Sequence, residues 1–137
     1  MPRLAILTAV VIFLLAGQAP ARAENYGGVS SSYRAKIIRM IHHWFDRYGV
    51  GDTMVCIANR ESGFNPKAYN NDWAPYRSVA GLFQIEWRYH ATPWERNSGY
   101  SVGWWHFYRR MSDPVQNIKL AVRLYRTGGL SAWGGGC

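Results

Sequence analysis

The chain has 137 residues, 48% of them hydrophobic, with 16 Lys and Arg against 8 Asp and Glu for a formal charge of +8. That length admits one compact core and excludes a second large domain. The basic balance suits an anionic polymer such as bacterial cell wall, a nucleic acid or a membrane surface, and charge alone does not choose among them.

Met1-Pro2-Arg3 is followed by an apolar run from Leu4 to Ala16, and Ala21-Arg22-Ala23 has the small-x-small form of a cleavage site. Residues 1–23 therefore read as a secretory signal peptide, because the apolar run is short of the roughly 20 residues a membrane span needs. Its removal leaves 114 residues carrying +6. The expected location is secreted, periplasmic or wall-associated, without stable membrane insertion. Residues 24–31 read as a flexible leader and residues 32–137 as the folded domain. In an exported chain two cysteines, Cys56 and Cys137, are expected to form one disulfide, closing a loop of about 80 residues and contributing on the order of 4 kcal/mol. Cys56 lies on an apolar helical run, which disfavours a catalytic thiol.

Ile37, Ile38, Ile41, Trp44, Phe45 and Tyr48 recur at three- and four-residue spacing and predict a core-facing helix from Ser32, ended by Gly49. His42 and His43 diverge by about 100° on that helix, and with Asp46 alone one turn away they do not complete a metal site. No metal and no cofactor is expected. A second helix, capped by Asp52 or Thr53, runs through Met54, Val55 and Ala58 to Glu61 and stops at Gly63. Arg60 is adjacent to Glu61 but on another side of the helix, and reads as solvated. Glu61 stands where backbone regularity ends, which is how a fold presents an acid to a cleft. Glycosidic-bond cleavage needs such a group, because the leaving oxygen must receive a proton as the bond breaks. The same position also suits a solvated surface glutamate.

Pro66, Asn70-Asn71-Asp72, Pro75 and Gly81 break the next stretch too often for a long helix. It predicts a small hairpin or irregular lobe, with strand-like Leu82-Phe83-Gln84-Ile85. Twelve aromatic residues fall between Tyr69 and Tyr108. Their faces can bury sugar rings, and each is equally a candidate for the core. Thr92-Pro93-Trp94-Glu95 has the form of a capping box, Asn97 to Gly103 reads as loop, and Asp113-Pro114-Val115-Gln116 opens a last helix that ends at Gly128-Gly129. The fold class is α+β, mainly α-helical.

Glu61-Ser62-Gly63-Phe64-Asn65-Pro66-Lys67-Ala68, followed by Gly81-Leu82-Phe83-Gln84-Ile85, resembles the lysozyme-like superfamily, in particular soluble lytic transglycosylases. Those enzymes carry Glu-Ser-x-x-Asn-Pro-x-Ala and then Gly-Leu-Met-Gln-Ile. Cys56, five residues before the acid, and Cys137, four after Trp133, resemble the pair that animal-type lysozymes join. The resemblance covers about residues 53–137. It implies a lysozyme-like fold with a small lobe beside the acid-bearing helix, and a monomer acting on peptidoglycan glycan strands rather than nucleic acid. Glu61 would be the single catalytic acid/base, cleaving the β-1,4 bond between MurNAc and GlcNAc. Gln84 would face the sugar, Ser78 would help place it, and Tyr76, Trp73 and Trp104 are further candidates for sugar contact.

Animal-type lysozymes place a second carboxylate where this chain has Val79. The resemblance to transglycosylases then implies that the substrate's own N-acetyl group stabilises the cationic centre and that a 1,6-anhydro ring closes without water. Hydrolysis of the same bond, with Asp72 or Glu86 activating water, is the nearest alternative. A non-catalytic wall-binding module and a cationic membrane-disrupting protein are the others. Two departures from the transglycosylase pattern stand out. Residues 71–77 form an insertion expected to shape one cleft wall, and the usual Ala-Tyr-Asn-Ala-Gly segment is missing, leaving open whether Tyr125 or another tyrosine contacts the acid.

Overall fold

A computed structural model of the chain describes residues 28–72, 74 and 77–137. The signal-peptide reading, Trp73 and Tyr76 lie outside the described residues. Helix α1 (Ser31–Phe45) starts where the Ser30 hydroxyl accepts the Tyr33 N–H at 3.3 Å, and it buries Ile37, Ile41 and Phe45 along one face. The spacing of those residues is the 3.6-residue period seen in the sequence. A 3-10 turn, Asp46–Tyr48, and a left-handed Gly49 end it.

Helix α2 (Gly51–Ser62) begins before either expected cap, and among the described residues no side chain caps it. Its start is set by close packing instead. A Cβ on Gly51 would collide with the Asp46 carboxylate and the His42 ring. His42 Nδ1 lies 2.8 Å from Asp46 Oδ1 and Nε2 lies 3.7 Å from Asp52 Oδ1, so this histidine stitches the α1–α2 corner. His43 sets its ring edge-on to Trp44. Among the described residues no three His, Cys, Asp or Glu side chains are grouped to hold a metal ion.

Three short strands, β1 (Tyr69–Asn70), β2 (Val79–Ala80) and β3 (Ile85–Glu86), pair antiparallel in that order. Tyr69 faces Ala80 in the first pair, and Val79 faces Glu86 in the second. The strand expected over Leu82 to Ile85 is mostly a turn. Gly81 at φ 84° and Gln84 at φ 46° reverse the chain, and only Ile85 joins the sheet.

Short helices α3 (Trp87–His90) and α4 (Pro93–Asn97) follow, the second opened by the expected capping box between Thr92 and Glu95. Helix α5 (Tyr100–Met111) then overturns the loop read from Asn97 to Gly103. Gly103 lies inside the helix because a residue without a Cβ lets α5 rest on the Glu95 carbonyl and the Trp87 ring. Helix α6 (Pro114–Gly128) opens where Asp113 Oδ1 accepts the N–H groups of Val115 and Gln116 at 2.8 and 3.0 Å. α1 packs on both α2 and α6, and α5 packs on α4 and α6. The core runs continuously from Ile37 and Phe45 through Met54, Ile57 and Phe83 to Phe107 and Ile118. Among the described residues no helix is long and apolar enough to cross a membrane.

Candidate active site

The end of α2 is built to turn sharply while staying buried. The Ser62 hydroxyl, fully buried, donates back to the Ala58 carbonyl at 3.0 Å. Gly63 is left-handed at φ 58°, and so is the following Phe64 at φ 64°. A bulky residue in that region costs about 1–3 kcal/mol. Phe64 is 4% exposed with the Arg34 guanidinium over its ring, and burying such a ring recovers about 1.5–3 kcal/mol. The chain then closes on itself, as Asn65 Oδ1 accepts the Lys67 N–H at 2.9 Å and the Asn65 carbonyl accepts from Ala68 at 3.1 Å.

The two sequence motifs meet at the Ala68 carbonyl. It accepts the Gly81 N–H at 2.8 Å and the Gln84 side-chain amide at 3.1 Å. That amide also donates to the Gly81 carbonyl at 2.9 Å. Gln84 therefore braces the turn against the acid-bearing loop, with its Oε1 buried and, among the described residues, without a hydrogen-bond partner. Asn117 locks the same turn from α6. Its Oδ1 accepts the Phe83 N–H at 3.0 Å and its Nδ2 donates to the Ala80 carbonyl at 3.2 Å. A Cβ on Gly81 would occupy the place of that amide, so only glycine admits the lock.

Glu61, beside Ser62 in the last turn of α2, has a side chain that is 14% exposed. Arg60 is not the solvated neighbour expected. Its Nε donates to Glu61 Oε1 at 3.0 Å, and Nη2 lies 2.9 Å from the same oxygen. The guanidinium also donates to the Trp133 carbonyl at 2.7 Å and the Gly136 carbonyl at 3.5 Å. Adjacent helical positions do diverge, but an arginine stem is long enough to fold back when distant carbonyls draw its head. The tail supplying those carbonyls is tied to α2 by the disulfide between Cys56 and Cys137. It is also tied to the turn by a 3.1 Å bond from the Trp133 indole N–H to the Phe83 carbonyl.

The other expected residues fall in separate places. Ser78 is fully buried and its hydroxyl lies 2.5 Å from that of Tyr100, so it is turned into the protein. Trp104 is 6% exposed, stacked on Tyr100 and edge-on to Trp87. One margin of Trp104 joins Tyr69, Asn71, Trp105 and Tyr108 around a recess of about 120 Å³. The sequence marks Tyr69, Trp105 and Tyr108 only as members of an aromatic set. The available signal is the spacing of Trp104 and Tyr108, four apart on one helical face. Asp72 is exposed with its N–H on Asn70 Oδ1, and Tyr125 packs on Phe45 and Tyr48.

Among the described residues the buried carboxyl group is that of Glu95. Burial alone would push the Glu95 carboxyl upward. Hydrogen bonds from Arg110 and the Thr92 backbone, with the charge of Arg110, hold it below the usual carboxylate range instead. Burial, and then the Arg110 charge, lower the pKa of His90.

A helix carrying a carboxyl group near its end, followed in the chain by a short antiparallel sheet and further helices, fits the lysozyme-like α+β arrangement. The model of the transglycosylase SLT domain matches residues 39–127, more than half of the chain, and the chain belongs to that lysozyme-like, peptidoglycan-active family. No curated protein and no solved structure matches it.

Proposed function

We propose that this protein is a lytic transglycosylase that cuts the MurNAc-GlcNAc β-1,4 bond of peptidoglycan with Glu61 as its single acid/base. The observation that carries the reading is the position of Glu61 within a matched family domain, in the last turn of a helix that packs one face on the core, with its side chain 14% exposed. Such a site is open enough to reach a glycan and closed enough to hold one carboxyl geometry. Val79, where animal-type lysozymes have their second carboxylate, supports a mechanism that needs only one.

Glu61 donates its proton to the bridging oxygen as the C1–O4 bond breaks. The positive charge developing at the muramyl C1 is met by the carbonyl oxygen of the same sugar's N-acetyl group. Glu61, now a carboxylate, takes the proton from the C6 hydroxyl, whose oxygen attacks C1 and closes the 1,6-anhydro ring. Glu61 is returned to its acid form and no water is consumed. The recess of Trp104, Trp105, Tyr69 and Tyr108 suits stacking of a neighbouring sugar, with Asn71 supplying a polar contact. The leader read in residues 1–23 and the disulfide suit an oxidising compartment outside the cytoplasm.

The test is turbidity loss of purified cell walls with wild type beside Glu61→Gln. The expected result is a fall of about 10³-fold in rate with an unchanged fold. Equal clearing by both proteins contradicts the assignment, and leakage of wall-free lipid vesicles by both moves the reading to membrane disruption.

A further inference from the structure

We propose that Arg60 is a positioning residue for Glu61 and that the C-terminal tail sets its position. The inference rests on the reading of Glu61 as the acid. Neighbouring residues on a helix do not face each other, so an Arg60–Glu61 contact is not a by-product of helical geometry. It needs a reason for the guanidinium to fold back across the helix end. The structure supplies one: Nη2 reaches the Trp133 carbonyl at 2.7 Å and Nη1 reaches that of Gly136 at 3.5 Å, while Nε and Nη2 hold Glu61 Oε1 at 3.0 and 2.9 Å.

A planar fork fastened on both sides has little freedom left, and it transmits that restriction to the carboxyl group it grips. Fixing Oε1 fixes the plane of the Glu61 carboxyl and hence the direction in which its proton is offered. The tail is itself immobilised at two points flanking those carbonyls. Trp133 is held to Phe83 by its indole N–H and by its ring, 5.8 Å from that of Phe83. Cys137 is held covalently to Cys56, one helical turn before Arg60. The disulfide thus orients the acid as well as stabilising the fold, acting through a side chain that touches both.

The experiment measures kcat and KM on soluble glycan strands for the full chain and its variants, with circular dichroism and Tm on each. Arg60→Met keeps the aliphatic stem and removes every donor. It is expected to lower kcat about 10–100-fold with KM within about twofold, the scale of a misplaced catalytic group. Arg60→Lys, which keeps charge without the fork, is expected to recover only part of the loss. Guanidinium chloride at millimolar concentration is expected to restore Arg60→Ala but not Glu61→Gln. The Cys56→Ala/Cys137→Ala protein is expected to lose kcat, and adding Arg60→Met to it to cost less than the product of the two separate losses.

Wild-type kcat in Arg60→Met overturns the proposal. A loss that tracks Tm and is not rescued by guanidinium makes Arg60 structural and also overturns it. Independent, multiplying losses overturn the part played by the tail. If Glu61→Gln retains full activity the acid assignment has failed. If Glu61→Gln is inactive while Arg60→Met is fully active, this inference alone has failed.

Discussion

The part of the molecule that carries Glu61 and the part that carries the aromatic recess are held together by different means. α1, α2 and α6 join through aliphatic and phenyl side chains, and the tail is fastened to α2 by a covalent bond. α3, α4 and α5 are joined by a cluster of ring edges around Trp87 and by the ion pair of Arg110 with Glu95, which is 4% exposed. The first kind of attachment depends on oxidation. The second depends on charge. The helix end that carries Glu61 and the aromatic recess can therefore be loosened separately.

The largest expected effect is on the covalent side. Replacing both cysteines by alanine is predicted to cost about 4 kcal/mol, read from the denaturant midpoint, with the tail released first. A loss under about 1 kcal/mol would mean that the contacts of Trp133 hold the tail without the bond. Next comes the joint between the two parts. Asn117→Ala removes both bonds to the Gly81 turn and leaves the Phe83 N–H unsatisfied, and is predicted to cost about 3 kcal/mol in the same measurement. It also exposes the acid-bearing loop to faster amide exchange at Ala68 and Gly81. Unchanged exchange there would separate the turn from the acid.

Glu95→Gln breaks the buried ion pair on the charged side and is predicted to cost about 2 kcal/mol, reduced from the fully buried case because Arg110 is 29% exposed. pH sharpens this. Both Glu95 and His90 have folded-state pKa values below their ordinary ones, so each binds fewer protons folded than unfolded. The stability they contribute is full above the unfolded values, 6.5 for His90 and 4.5 for Glu95, and is lost as pH falls through the lower folded values. Tm of the wild type is therefore expected to decline below about pH 6.5 and more steeply below about 4.5, and Glu95→Gln to lack the second decline. Parallel profiles for the two proteins would contradict the ion-pair account. The smallest effect is predicted for Trp105→Ala. This side chain is 60% exposed, so stability should move by no more than about 0.5 kcal/mol while KM for glycan strands rises. A Trp105→Ala protein with wild-type KM would remove the recess from the binding surface.

The same division governs how much could be read from the sequence. α1 and α6 were legible because Ile37, Ile41 and Phe45, and Ile118, Ala121 and Val122, keep one period against one core. The Thr92 and Asp113 caps were legible because capping is local chemistry. The start of α5 was not, since Gly103 reads as a breaker until the Glu95 carbonyl and Trp87 ring are known to lie against it. The expected Asp52 or Thr53 cap failed for a similar reason: Asp46 and His42 crowd the first residue of α2. Around Glu61, the motif residues were visible but their partners were not. Asn117 reaches the Gly81 turn from 36 positions away, and Arg60 finds carbonyls 73 and 76 positions downstream. Contacts of that range leave no periodic trace. Ser78 and Gln84 show the same limit, since both were visible in the motifs but their bonds to the Tyr100 hydroxyl and the Ala68 carbonyl were not.

The most direct measurement of the central claim is the mass of muropeptides released from purified peptidoglycan. The account predicts fragments ending in 1,6-anhydro-muramyl residues, with no water gained per cut, and none from Glu61→Gln. Fragments heavier by one water per cut, lost on substitution of Asp72 or Glu86, would contradict it and make the protein a hydrolase.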